Sequence, residues 1–132
     1  MIIAMRITWN ALENDRMSNH VIIFPADDYD KVAVGGKIMF LRTKDLKLNV
    51  KVTDWIPLVF KDLDKNMLVE ILDIRLVKFG ELTDRVAVKC GFDDVIQLKK
   101  CLVSREPTLD NMSLLYAYTF EVMGTSEKVG ED

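Results

Sequence analysis

Histidine and cysteine are nearly absent from this chain. One histidine, His20, and two cysteines, Cys90 and Cys101, stand among its 132 residues. Zinc centres built by protein draw on clusters of these residues at short spacing, so no metal site is expected. The cysteines lie eleven apart across a segment with helical spacing. That is no disulfide framework, and both read as buried reduced thiols. Proline and glycine are also scarce, three and six. No Pro/Gly/Ser linker, repeat or low-complexity tract divides the chain, which predicts one domain. No apolar run approaches the roughly eighteen residues that cross a bilayer as a helix. The start, Met1 to Met5, has no basic flank and makes a poor signal peptide. A cytoplasmic location away from membranes is expected. Neither sign of charge dominates: 18 basic against 21 acidic residues give −3. A uniformly basic coat for nucleic acid is not expected, but a local basic patch is allowed.

What is present suits a globular domain. Hydrophobic residues make up 49% and charged residues 30%. A chain of this length buries roughly two thirds of its unfolded surface.

His20 to Phe24, closed by Pro25, is apolar and β-branched and predicts a buried strand. Asp27 to Val34 predicts a short helix, with Asp27 or Asp28 as its cap and Gly35-Gly36 as its end. Lys37 to Arg42 predicts a strand, and residues 43–49 a polar connection. Val50 to Phe60 predicts another strand, with Pro57 marking an edge or bulge because it cannot donate to a ladder. Asp62 to Asn66 is a turn, and Met67 to Phe79 one long strand that bends. Thr83 then caps a helix ending at Gly91. Asp93 is the next candidate cap, before a helix with Val95, Leu98 and Leu102 on one face and Gln97, Lys99 and Lys100 outward. Pro107 stops it, and Leu114 to Met123 is the final strand. Residues 1–20 form an extension without a predicted structure, 21–123 the domain, and 124–132 a frayed, disordered tail. Many short strands with few helices predict an α+β mixed β-barrel rather than a parallel sheet.

Three stretches carry a resemblance. Phe24-Pro-Ala-Asp-Asp-Tyr-Asp-Lys-Val-Ala-Val-Gly-Gly-Lys-Ile-Met-Phe-Leu-Arg42 is similar to the strand, short helix and Gly-Lys-x-x-x-x-Arg strand of the ASCH (activating signal cointegrator homology) family, a branch of the PUA-like β-barrels. Phe79 to Phe92 is similar to that family's step from barrel to helix, L-T-x-x-x-A-x-x-x-G-F. The helix with Leu98-Lys-Lys, Pro107 and the closing strand through Phe120 complete the likeness, which spans Val21 to Met123. The resemblance implies a small PUA-like barrel with two or three short helices, and a cleft beside the Gly-Lys strand for RNA or a nucleotide. Some small bacterial ASCH proteins are amidohydrolases that deacetylate N4-acetylcytidine with a lysine, a threonine three residues on, and a glutamate before the Gly-Phe step. Carried over, the lysine falls on Lys37, the threonine position on Phe40 and the glutamate position on Cys90, with Lys89 beside it. One catalytic group of three is present. The family's Gly-Asp turn is best matched by Thr53-Asp54, which lacks the glycine. A second placement sets Gly35-Gly36 on that turn and leaves the Lys-x-x-x-x-Arg strand unmatched.

The candidate RNA- or nucleotide-binding residues are Lys37, Arg42, Lys44, Lys47, Lys51 and Trp55. From Lys37 to Lys51 basic residues outnumber Asp45 by four, a local field that attracts phosphate. The same lysines also suit a guarded sheet edge. Lys37 supplies a point charge and Arg42 a bidentate fork. Five apart in a strand, they are expected on opposite faces. Trp55 is placed to stack on a base or to pack. Lys37 is also the one catalytic candidate if the chain is an amidohydrolase acting on acylated cytidine. An accessory protein with a degenerate site is the third reading. No cofactor is expected. Asp27, Asp28 and Asp30 read as a helix start rather than a cation site, and Met39, Phe40 and Phe79 as core. Tyr116 and Tyr118 alternate on one face of the last strand and read as core or barrel lining, with stacking on a ligand as the alternative.

Overall fold

The computed structural model describes residues 21–44 and 47–127. His20, the extension before it and the final five residues lie outside the described part. Five strands form one sheet in the order β1-β3-β4-β5-β2. They are β1 (Ile22–Phe24), β2 (Met39–Thr43), β3 (Trp55–Phe60), β4 (Lys65–Lys78) and β5 (Leu114–Glu127). β1 pairs with β3 in parallel, and every other pairing is antiparallel. Among the described residues three helices accompany them: α1 (Asp28–Ala33), α2 (Asp84–Lys89) and α3 (Val95–Arg105), with a 3₁₀ turn at Phe79–Glu81. The sheet curls into a half-barrel, the α+β arrangement expected.

Strand alternation sends side chains to two cores, one on each face of the sheet. The inner core gathers Ile22, Phe24, Phe40, Ile56, Leu58, Phe60, Met67, Val69, Ile71, Tyr118 and Phe120, with Val32 of α1 closing it. The outer core lies where α2 and α3 cover the sheet: Phe79, Leu82, Ala87, Cys90, Leu98, Leu102 and Leu115, with Met39, Leu41 and Val77 packed on it. Each of these fully buried aliphatic or aromatic side chains contributes about 1.5–3 kcal/mol. β4 and β5 share a long ladder broken twice, between Leu68 and Val69 and between Ile71 and Asp73. These breaks are the bend expected in β4.

Four local expectations need correction. The last helix is capped by Asp94, not Asp93: the Gln97 amide donates to Asp94 Oδ1 at 2.9 Å. Asp94 alone of the two stands three residues before Gln97, the third residue of the helix, where the acceptor is needed. Pro57 is buried within β3, an interior strand. Pairing with β1 begins only at Leu58, so at Pro57 the strand has a described neighbour on one side, which is where a missing donor is tolerated. β5 runs to Glu127 instead of ending at Met123, because Gly124 to Glu127 pair with Lys65 to Leu68. β1 is an edge strand with Ile23 exposed, so only alternate residues are buried.

The caps provide a direct check. Asp94→Ala should lower stability by about 1 kcal/mol, read from the urea midpoint. Asp93→Ala should stay within about 0.5 kcal/mol of wild type.

Candidate functional site

Lys37 stands where α1 hands over to the sheet. Gly35, at φ +80, ends the helix in a conformation that suits glycine. The Gly36 and Lys37 amides both donate to the Lys31 carbonyl at 2.9 Å. Lys37 bridges to Cys90, and the Ile38 amide donates to the Lys89 carbonyl at 2.8 Å. This fixes the Lys37 side chain inward. Its ammonium lies 2.9 Å from Asp28 Oδ2 and 4.4 Å from the centre of the Phe24 ring. The two charged side chains are only 11% and 13% exposed. An ammonium taken this far out of water needs a counter-charge, and Asp28 is it. Asp28 is therefore no helix cap. The Asp28 and Tyr29 amides are served by the carbonyls of Pro25 and Ala26, and Asp27, at the cap position, receives no side-chain bond.

The rest of Lys37's surroundings are filled by the protein. Gly91, at φ +90, lies against its alkyl chain: a Cβ there would stand 3.3 Å from the Cδ atoms of both Lys31 and Lys37. Lys31 donates to the Gly91 carbonyl at 3.0 Å and lies over the Phe92 ring. Phe40, at the threonine position of the resemblance, is buried and stacked on Tyr118 at 5.0 Å. Cys90, at the glutamate position, is buried. Burial pushes its thiol up to about 12, against a smaller opposing pull from Lys37. A thiol so displaced stays protonated near neutral pH and is neither base nor nucleophile there. Cys101 is only half-buried, contrary to expectation.

A second cation–aromatic group forms further along β2. Residues directly paired across strands share a face of the sheet. The register pairs Arg42 with Tyr116, and Tyr116 with Leu76. One step inward the same strands pair Phe40, Tyr118 and Ile74, which belong to the inner core. Arg42, Tyr116 and Leu76 thus form the rim row beside a buried row. The Arg42 guanidinium lies 5.8 Å from the Phe40 ring, on the same aromatic cluster that carries Lys37 through Phe24. The expected opposite-face arrangement fails because Lys37 precedes β2 proper and is turned by its bridge to Cys90.

Arg42 is half-buried and makes no ion pair among the described residues. Burial lowers its pKa from the ordinary value; Tyr118 opposes that and Arg105 adds to it. It remains a cation at neutral pH. Lys47 is exposed and sits 5.3 Å over the Tyr116 ring. The next residue, Leu48, donates its amide to the Tyr118 hydroxyl oxygen at 3.0 Å and pins this part of the loop to the row. Burial raises the Tyr118 phenol, which stays neutral. Lys44 and Lys51 are exposed on either side. Trp55 is buried at 8% exposure, so it offers no face to a base and packs in the fold instead. The structure thus groups Arg42 and Lys47 with Tyr116, sets Lys37 apart as an internal ion pair, and removes Trp55. One partner escaped the sequence reading: Asp28, hidden among three aspartates that all looked like a helix start. The period-two placement of Tyr116 and Tyr118 on one face is as expected, with Tyr118 buried in the core and Tyr116 half-buried at its edge.

Among the described residues no group of His, Cys, Asp or Glu could hold a metal ion, and no helix is long and apolar enough to cross a membrane.

No protein-family model matches this sequence, and no curated protein matches it. Solved structures do. An ASCH domain from Lactobacillus crispatus JV V101 superposes with a TM-score of 0.67 at 16% identity, over 86% of this chain and 84% of that one. Protein EF3133 from Enterococcus faecalis V583, of the family DUF984, gives 0.60 at 14% identity over 92% and 93%. Hypothetical protein PH0355 gives 0.59 at 16% identity over 77% and 96%. The chain therefore has the ASCH-type, PUA-like fold that its motifs resemble.

The ion pair makes a sharp expectation. Asp28→Ala strands a buried ammonium and should cost about 3–5 kcal/mol of stability, measured by denaturant unfolding. The double variant Asp28→Leu/Lys37→Met should recover most of that loss, because it leaves no unpaired charge inside. In the folded protein at mildly alkaline pH, Cys101 should react with a thiol reagent well before Cys90, followed by mass spectrometry of the labelled peptides.

Proposed function

We propose that this ASCH-fold module binds a nucleotide, or a single-stranded RNA segment, on the rim row of β2, β5 and β4. The observation that carries the reading is the placement of a half-buried guanidinium, with no carboxylate partner among the described residues, directly beside an aromatic ring with a second cation over it. A nucleotide has the matching parts. Its base is a flat π-surface that stacks on Tyr116, with Leu76, 51% exposed, extending the apolar floor. Its phosphate is an anion for Arg42 and Lys47. Lys47 lies on an exposed loop and is free to leave the ring for the phosphate as the base arrives. Lys44 and Lys51 add to the field that draws the ligand in.

In this reading Lys37 is a support for the site rather than a contact. Its charge is already met by Asp28, and Phe24, on which it rests, carries Phe40 beneath Arg42.

Titration of a short labelled single-stranded RNA at low salt tests this. Arg42→Ala and Tyr116→Ala should each weaken binding by about tenfold or more. Arg42→Ala should also flatten the dependence of log affinity on log salt by about one contact. Lys61→Ala, on the far turn, should change neither. Equal affinity in wild type and both site variants would overturn the proposal.

A further inference from the structure

Leu68 is sealed from water on a part of the sheet that the described helices leave alone. Its neighbours Met67 and Val69 point into the inner core, so alternation turns Leu68 to the outer face. Pro57, its partner across the ladder, turns the same way, with Trp55 and Val59 on either side. Leu68 is 1% exposed and belongs to neither of the two cores. Pro57 and Trp55 are buried as well. The open face of a single sheet leaves a leucine partly in water, so a side chain this well covered has a layer over it.

The described helices are engaged elsewhere. α2 and α3 pack with Met39, Leu41, Val77 and Leu115, and Val32 of α1 closes the inner core. Val77 lies nine residues along β4 from Leu68, about 30 Å at the rise of a strand. The neighbouring loops turn inward: Leu63, Leu48 and Val50 all pack on the inner core.

The chain itself enters the sheet at this row. Ile22 pairs with Leu58, and Leu58 with Met67. One step back, Val21 stands level with Pro57 and Leu68, and the twenty residues before it join the sheet there. Leu68 is two strands in from β1, about 10 Å, and twenty residues reach about 30 Å even when helical. Their composition divides in two. Nine of residues 1–12 are apolar, among them Ile2, Ile3, Met5, Ile7, Trp9 and Leu12. Residues 13–20 are polar except for Met17. An apolar head on a polar connection suits a segment that lies down on its own domain. The one charged side chain of the head is Arg6, a cation. The face is bordered by Glu70 and Glu121, directly opposite each other. Like charges so placed repel, and a basic segment suits that border better than an acidic partner or an anionic lipid surface does.

We propose that residues 1–12 cross the outer face of β3 and β4 and form the layer over Pro57 and Leu68, with Trp55 and Val59 at its flanks. The segment before β1 is then part of the folded domain and builds a third, smaller core. The proposal is independent of the rim-row reading, which concerns the other face of the sheet.

The test uses the full chain with carbon-13 in its Ile, Leu and Met methyl groups. Nuclear Overhauser contacts should join the Leu68 methyls to side chains of residues 1–12. In the double variant Met5→Asp/Ile7→Asp those contacts should vanish and the Leu68 methyl resonances should move, while those of Leu98 and Leu102 stay in place. Ile96→Asp, at an exposed position on α3, should leave the Leu68 resonances where they are. Should the double variant fail to fold, the wild-type contacts still decide. Absence of contact between Leu68 and residues 1–12 in wild type would overturn the proposal and leave the face to a separate partner. Contacts that arise only between labelled and unlabelled chains in a mixed sample would overturn it too, because the cover would then be a second copy.

Discussion

A charged amine buried at the mouth of the half-barrel must have its opposite charge beside it, and much of this structure follows from how that demand is met. Lys37 is turned inward by its bridge to Cys90, and Asp28 reaches it from the first turn of α1. The pair therefore ties the helix that follows β1 to the segment that opens β2. β1 and β2 are the two outer strands of the sheet and share no ladder. Phe24 and Phe40 meet edge to face at 5.7 Å between them, with the ammonium over Phe24. The gap between the outer strands is thus closed by rings and one ion pair rather than by backbone hydrogen bonds. A buried ion pair is a poor source of net stability; what it does here is hold one geometry.

That geometry decides which residues are left for a ligand. Alternation along β2 sends Leu41 to the helices and Arg42 to the rim of the inner core, one position apart. The same alternation along β5 sends Leu115 outward and Tyr116 to the rim. The helices that bury the outer face therefore also set the height of the rim, because Leu41 and Leu115 anchor the two strands from behind. Charge works in the same direction. Lys37 is neutralised within the fold, whereas Arg42 is held half out of water with no carboxylate assigned to it among the described residues.

The elements were largely legible in the sequence, since each carries its own local signal: Gly35 and Gly91 at positive φ, Thr83 at a helix start, and Leu98 and Leu102 on one stripe. The two tyrosines at period two also pointed correctly to one face. What could not be read was pairing across distance. Nothing in the local run distinguishes Asp28 from Asp27 and Asp30; only the three-dimensional approach of Lys37 does. Trp55 follows the lysine-rich stretch in sequence, yet its position in β3 buries it. Pro57 argues for an edge in any one-dimensional reading, and only the late start of β1 explains its place inside the sheet. The ladder that carries β5 through Gly124 and beyond depends on Lys65 to Leu68, nearly sixty residues earlier.

The interruption of the β4 ladder at Leu72 has a consequence of its own. Before it, odd-numbered residues face the inner core, as Met67, Val69 and Ile71 do; after it, the even-numbered Ile74 takes over. One unpaired residue shifts the phase of the strand, so Leu72 works as a frame marker. Because Phe120, Thr119 and Tyr118 are consecutive opposite Ile71, Asp73 and Ile74, removing Leu72 would leave every later partner and face as it is and take out only the local kink. One extra residue in the paired run beyond it would do the opposite, sending Leu76 behind the sheet and bringing Val77 out of the helix-covered core, so that the floor beside Tyr116 would be lost without any change at Tyr116 itself.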